Sequence, residues 1–230
     1  MQGILLIDKP ATWTSFDVVN YIRRIVANAE GKKPKNCKVG HTGTLDPFAT
    51  GLLVVLIGKE YTKKAAELSK VDKTYEVTMK LGARSTTGDP EGEINPVSDT
   101  TPTKEELLEA LEGFKGQIEQ VPPAFSAIKV DGQRAYRLAR EGKEVKIEPR
   151  KVTINRLELS DYNYPEARLV VGVSSGTYVR TLVEDIGATL KTGGYTVELR
   201  RTKVGNYDIA DATAVKQLDE ELMGKQIRLT

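Results

Sequence analysis

Apolar positions recur along this chain with two periods, and the elements follow from them. Residues 3–7 form a short apolar run closed by Asp8-Lys9-Pro10, which predicts a buried strand. Thr14-Ser15-Phe16-Asp17 has capping-box spacing. Phe16, Val19, Ile22, Ile25 and Val26 then recur near helical spacing, so a helix is expected to about residue 29. Residues 30–36 make a polar, basic loop, the apolar run at 52–57 reads as a second buried strand, and 59–70 as a helix. Over 73–81, Tyr75, Val77 and Met79 alternate with Glu76, Thr78 and Lys80, the pattern of a strand. Gly88-Asp89-Pro90-Glu91-Gly92 marks 82–95 as a turn-rich loop. Thr103 caps a helix over 104–113, with Leu107, Leu108 and Leu111 as its apolar stripe.

In the second half, prolines 122 and 123 break regular structure over 121–127, and a basic amphipathic stretch spans 133–140 and ends at Gly142. Strands are expected at 145–159 and 167–174. A helix follows at 177–190, with Val179, Leu182, Val183 and Ile186 on one face and Arg180 and Glu184 off it. Gly193-Gly194 ends that helix, 195–204 is a strand, and the last segment reads as a helix over about 213–230. No repeat, low-complexity tract or linker interrupts the pattern. One α+β domain over 1–230 is expected, with an insertion at about 122–146; the lack of regular βαβ alternation argues against a doubly wound fold.

Composition narrows the function classes. The 230 residues carry a net charge of +2, 39% apolar and 29% charged residues, an ordinary globular balance. Charge is nevertheless segregated: residues 129–151 hold eight basic against four acidic side chains, and 99–119 hold six acids against Lys104 and Lys115. Cys37 is the one cysteine and His41 the one histidine, which excludes an intrachain disulfide and multi-Cys or His-rich metal sites. The first residues have no signal-peptide pattern and no apolar run is long enough for a bilayer, so a cytoplasmic protein is expected.

The candidate chemistry centres on residues 40–53, where Asp46 stands in a loop of small, turn-forming and polar residues just before the apolar strand. Glycines 40, 43 and 51 permit tight turns and close approach of a large ligand. Pro47 stiffens the chain and biases Asp46 away from helix. A carboxylate on such a loop suits chemistry at a fixed point, although for an arbitrary Asp-Pro an Asx-turn that only shapes the loop is the better reading.

The whole string Gly40-His41-Thr42-Gly43-Thr44-Leu45-Asp46-Pro47 resembles the catalytic motif of the TruB family of tRNA pseudouridine synthases. Four further segments resemble that family in the same order: Gly-Ile-Leu-Leu-Ile-Asp-Lys-Pro with Lys9, Asp-Lys-Thr-Tyr-Glu-Val with Tyr75, Ser-Ser-Gly-Thr-Tyr-Val-Arg-Thr-Leu with Tyr178 and Arg180, and Glu-Leu-Arg-Arg with Leu199. The resemblance implies the pseudouridine synthase fold, a mixed, mostly antiparallel central sheet flanked by helices. It implies isomerisation of uridine to pseudouridine in the T-loop of tRNA, at position 55 of the tRNA, with Asp46 as catalytic residue and Tyr75, Arg180 and Leu199 in the active site. His41, five residues before Asp46 in the same loop, reads as helping to hold a flipped-out nucleotide by stacking or hydrogen bonding, or else as a loop histidine satisfied by backbone groups. For Lys9 a turn cation and a site residue fit equally. The basic stretch with Lys129, Arg134, Tyr136, Arg137 and Arg140 resembles the segment that closes over the T stem-loop, where cations interleaved with an aromatic suit phosphate contact and stacking.

That reaction breaks the N1–C1′ bond, turns the uracil and rebonds it through C5, which needs neither redox chemistry nor a metal; no cofactor is expected. Asp46 either attacks C1′ or removes a sugar proton. The resemblance further implies a monomer with tRNA as its partner, in a short form ending before the family's usual C-terminal RNA-binding domain. A tRNA-binding or tRNA-folding protein, and the catalytic subunit of a guide-RNA particle, are the alternatives.

Overall fold

The computed structural model describes residues 1–126, 128–130, 132–142 and 146–228, with Lys129, Val130, Arg134, Tyr136 and Arg140 described through their backbone alone. The chain opens with β1 (Gly3–Lys9) and α1 (Ser15–Ala29). The expected capping box starts that helix: Asp17 N donates to Thr14 Oγ1 at 3.0 Å and Thr14 N to Asp17 Oδ2 at 2.9 Å. Strands β2 (Val39–His41) and β3 (Thr50–Ile57) bracket the Asp46 loop. The expected helix at 59–70 is two short ones, α2 (Lys59–Lys63) and α3 (Ala65–Leu68), because Lys64 adopts ψ of 0° and ends the first. Strand β4 (Lys73–Leu81) follows as expected.

The turn-rich segment contains a small hairpin of β5 (Ala83–Ser85) and β6 (Ile94–Pro96). Helix α4 (Lys104–Glu112) has its own capping box with Thr103 and Glu106, and it buries Leu107, Ala110 and Leu111 while Leu108 faces solvent. Next come β7 (Gly116–Gln120), β8 (Lys129–Val130), β9 (Gln133–Arg134) and α5 (Ala135–Arg140), so the basic amphipathic stretch is a hairpin strand leading into a shorter helix. Strands β10 (Arg150–Asn163) and β11 (Glu166–Val173), helix α6 (Val179–Thr189) and strand β12 (Gly194–Val204) complete the expected second half. The single terminal helix expected from 213 is instead β13 (Tyr207–Asp208), β14 (Thr213–Ala214), a 3-10 turn and α7 (Glu220–Gln226). Thr213 and Ala214 are drawn into parallel pairing with Ile7 and Asp8, and the helix waits for its Asp219 cap.

The chain divides into two compact units, Met1–Glu76 with Leu199–Thr230, and Val77–Glu198. In the first, the strand order is β14-β1-β3-β12, with β2 also on β3 and β13 on β12. The pairs β1–β14 and β3–β12 are parallel and β1–β3 and β2–β3 antiparallel, so the sheet is mixed. Both faces of β1 and β3 are covered. Leu5, Ile7, Leu53, Val55 and Ile57 pack on Val18, Val19, Ile22 and Val26 of α1. On the other face Ile4, Leu6, Leu52, Val54 and Leu56 pack with Tyr61 and Val204. Burial on two sides is why these strands read as unbroken apolar runs. Phe16 lies outside this core: it is 61% exposed, a correction to its place in the expected apolar stripe. In the second unit the order runs β4-β11-β10-β7, antiparallel at β10–β11 and β10–β7, with α4 packed on β10 and on α6. Among the described residues no helix is long and apolar enough to cross a membrane.

Gly51 opens β3 at φ +100°, and a Cβ there would lie 2.3 Å from Arg201 O and 2.8 Å from Arg201 N of the paired strand. Gly116 has a similar φ of +87° with open space around it. Gly116→Ala is therefore expected to cost only the left-handed strain of about 1–2 kcal/mol. Gly51→Ala adds a backbone clash and is expected to cost more than about 3 kcal/mol. Urea midpoints of the two variants measure the difference, and equal losses would contradict it.

Candidate active site

The Asp46 loop is fastened through its backbone. Ahead of Asp46, Leu45 N donates to Ser15 Oγ at 2.8 Å and Ser15 Oγ donates to Leu45 O at 3.1 Å, which ties the loop to the first turn of α1. Just after it, Pro47 O accepts from Thr12 N at 2.8 Å and from Lys9 Nζ at 3.3 Å. Ala49 N closes a turn onto Asp46 O at 3.2 Å. At the loop's two ends Arg201 Nη2 donates to Gly43 O at 3.0 Å and its Nε to Leu52 O at 2.7 Å. Asp46 itself is half-buried.

Two of these clamps are buried cations. Lys9 is fully buried at the end of β1, donating also to Pro10 O at 2.8 Å and Trp13 O at 2.6 Å; it is not a solvated turn cation. Arg201, 1% exposed, lies on β12, where an arginine follows the pocket candidate Leu199 by two positions. Sequence reading passed over it; the signal was a cation inside a strand that is otherwise mostly apolar on its buried face. A third cation, Lys73, donates to Ser69 O at 2.9 Å and Val71 O at 2.6 Å. A Cβ on Gly43 would touch both Arg201 Nη1 (3.4 Å) and Lys73 Cε (3.6 Å), so the loop glycine lies directly over the two side chains. Burial first, and the Arg201 charge second, push the Lys73 pKa down to about 8.

His41 ends β2 on the same loop. Burial, then Arg201, hold its pKa below the ordinary histidine value, so the ring is neutral at pH 7, and its buried Nδ1 has no partner among the described residues. Leu199, 7% exposed, stands one position before the Arg200–Thr50 register pair, alongside Ala49. Arg200 forms a two-point ion pair with Asp8 at 2.7 and 3.1 Å. Tyr75, 8% exposed, is on β4, which β12 approaches through Thr202 Oγ1 and Thr74 O. The first unit thus gathers Lys9, His41, Asp46 and Leu199 around one loop, with Tyr75 on a neighbouring strand.

The second unit carries the other candidates. Arg180 is 3% exposed in the first turn of α6, although its sequence position put it off the apolar face. It donates to Thr87 O at 2.6 Å, Asp89 Oδ2 at 3.1 Å and Phe125 O at 2.9 Å. Asp89, a turn residue in the sequence, is buried to meet it. Tyr178 caps α6; Gln120 bonds both its N (2.8 Å) and its O (3.0 Å), and the Arg150 guanidinium stands 5.0 Å from its ring centroid. Arg137 is exposed on α5. The side chains of Lys129, Arg134, Tyr136 and Arg140 lie outside the described residues. Among the described residues no group of three or more His, Cys, Asp or Glu could hold a metal.

The Lys73 pKa is depressed from 10.5 in the unfolded chain to about 8, so between those values the unfolded state binds the extra proton. The cost of burying the cation is fully present below pH 8 and is relieved as pH rises toward 10.5. A lysine Cε resonance titrating near pH 8 and absent from Lys73→Met is expected, with folding stability of the wild type gaining on that variant across the window. A lysine titration set with no midpoint below 10 would contradict the placement.

The chain matches the model of the TruB family pseudouridylate synthase N-terminal domain over residues 30–179 and that of the tRNA pseudouridylate synthase B C-terminal domain over 180–227. A Pseudomonas putida protein named tRNA pseudouridine synthase B is 46% identical over 220 residues, covering 96% of this chain and 69% of the relative. The protein of the same name from Flavobacterium johnsoniae is 44% identical and covered to 95% in both chains. Among solved structures, a chain of a Cbf5-Nop10-Gar1 complex superposes with a TM-score of 0.71 at 26% identity, covering 94% of this chain. A chain of the archaeal box H/ACA sRNP Nop10-Cbf5 complex gives 0.70 at 24% and shares the fold. This chain spans 53% and 59% of those two chains. Motif order, fold and both family models agree: the chain belongs to the TruB family of pseudouridylate synthases.

Proposed function

We propose that this protein converts the T-loop uridine of tRNA, position 55, to pseudouridine, with Asp46 as the catalytic carboxylate. The observation that carries the reading is a half-buried carboxylate on a loop whose backbone is clamped immediately before and after it and at both ends. In the isomerisation the N1–C1′ bond breaks, the uracil turns, C5 bonds to C1′, and the C5 proton leaves as N1 gains one. Asp46 acts on C1′ as nucleophile or removes a sugar proton; both routes require the carboxylate ionised. Rate at such a centre depends on position, since an error near 1 Å costs about 10²-fold. Lys9 and Arg201 serve as positioning groups here.

The target base is stacked in RNA and must be extruded to be reached. His41, neutral and with Nδ1 unpartnered, is suited to hydrogen bonding the extruded nucleotide. Tyr75 supplies a stacking face and a hydroxyl for the C5 proton, Leu199 lines the uracil pocket, and Arg180 and Tyr178 are active-site residues, roles taken from the motif match. The cations of residues 129–140, Arg137 among them, contact the T stem-loop phosphates. The protein acts as a monomer in the cytoplasm on bare tRNA, without guide RNA. The name tRNA pseudouridine synthase B of a Flavobacterium relative that this chain covers almost entirely supports tRNA as the substrate.

Tritium release from tRNA labelled at uridine C5 tests the reading with the purified chain alone. Wild type is expected to plateau at one site per tRNA. Asp46→Asn is expected to lose at least about 10²–10⁴-fold in rate while binding tRNA within a few-fold of wild type. Retained turnover in that variant sinks the assignment, and release only after guide RNA is added favours the particle subunit. Arg201→Lys keeps the charge but not the two-point clamp on Gly43 and Leu52. Its single-turnover rate is expected to fall about 10–100-fold with tRNA affinity unchanged.

A further inference from the structure

The apolar face of α1 is spent on the core, yet Phe16 on its first turn is 61% exposed, the most exposed large hydrophobic and the only aromatic in that class among the described residues. Single exposed apolar residues are common and require no explanation. Phe16 differs in being built into a fixed arrangement. Phe16, Asn20 and Arg23 follow at i, i+4 and i+7, one face of the helix. The Arg23 guanidinium stands 5.9 Å from the Phe16 ring centroid. Arg23 is itself held by Asn20 Oδ1 at 2.7 Å and by Val39 O at 3.1 Å, the latter on the strand that carries His41. Ser15, adjacent to Phe16, is the residue bonded to Leu45 beside Asp46. The ring is thus fixed one residue from the tie that holds the catalytic loop, and a guanidinium braces it.

The chain that follows Phe16 and Asp17 is basic. Arg23, Arg24, Lys32, Lys33, Lys35 and Lys38 stand against Glu30 alone over residues 23–38. Lys32 is paired with Glu30, whereas Arg24, Lys33, Lys35 and Lys38 are exposed. An exposed aromatic in a cationic setting matches a base with its phosphates; a second copy of this chain would bring the same positive charges together.

We propose that Phe16, braced by Arg23, is a stacking platform for an RNA base flanking the target nucleotide, and that the 23–38 cations contact the adjoining phosphates. It rests on the proposed RNA-modifying function and adds a contact distinct from the 129–140 segment.

The test is RNA affinity and single-turnover tritium release on a T stem-loop hairpin, with wild type, Phe16→Ala, Phe16→Trp and Lys35→Gln. Removing one stacked base is expected to weaken binding ~5- to 150-fold in Phe16→Ala. Phe16→Trp is expected to keep or improve affinity, and the rate at saturating RNA is expected to stay at the wild-type value in both. The salt dependence of binding is expected to be unchanged in Phe16→Ala but shallower in Lys35→Gln, by roughly 0.7–0.9 in the log–log slope. Wild-type affinity in Phe16→Ala, beside a wild type that binds and turns over the hairpin, overturns the platform and leaves the function standing. A shift in sedimentation of Phe16→Ala with RNA affinity unchanged assigns the ring to self-association and equally overturns it. A wild type that neither binds nor modifies the hairpin removes the functional reading itself and the platform with it.

Discussion

The bonds from two buried cations to loop carbonyls are what the rest of the first unit depends on. Lys9 and Arg201 are 0% and 1% exposed, and an isolated charge so far from water would cost several kcal/mol. The partly buried carbonyls of a tight loop carry a complementary cost, since an acceptor left unmade is also unfavourable. The two problems cancel: Lys9 gathers the carbonyls of residues 10, 13 and 47, and Arg201 those of 43 and 52. A loop rich in glycine and threonine, packed through Thr42, Leu45 and Ala49, is also held through its main chain.

The sheet supplies the clamps at the right height. Antiparallel register puts Lys9 opposite Gly51, so the last residue of β1 reaches the point where the loop re-enters β3. Parallel pairing of Arg201 with Gly51 brings the third strand to the same point, and this close approach is what leaves no room for a Cβ at 51. Apolar burial on both faces of β1 and β3 holds those registers, because a one-residue slip would gain nothing and would move Lys9 and Gly51 apart. Core packing thereby becomes site geometry.

Elements with a long period or a cap were legible in the sequence: β1, α1 behind Thr14, β3, the alternating β4, α4 behind Thr103, and the α6–β12 pair. The short strands β2, β5, β6, β13 and β14 were not, because two or three residues carry no period and exist only through distant partners such as Ile7 for Thr213. The Asp46 loop was legible as a string. Its supports were not: Lys9 was ambiguous, Ser15 read only as part of a capping box, and Arg201 went unremarked. These residues act on backbone carbonyls or across long stretches of chain, and backbone acceptors are the same for every residue type. Phe16 was misplaced for the opposite reason. Its spacing fits the apolar stripe, yet the helix turns it outward, where Arg23 covers its ring.

Rigidity at Asp46 also bears on where the energy for base extrusion comes from. Unstacking a nucleotide costs a few kcal/mol, and a clamped loop cannot supply it by closing around the base. In the proposed reaction that cost falls on contacts to the rest of the RNA, which the basic stretches at 23–38 and 129–151 are suited to make. In that proposed reaction the main-chain clamp holds the Asp46 backbone, and the basic segments gather the polyanion around it.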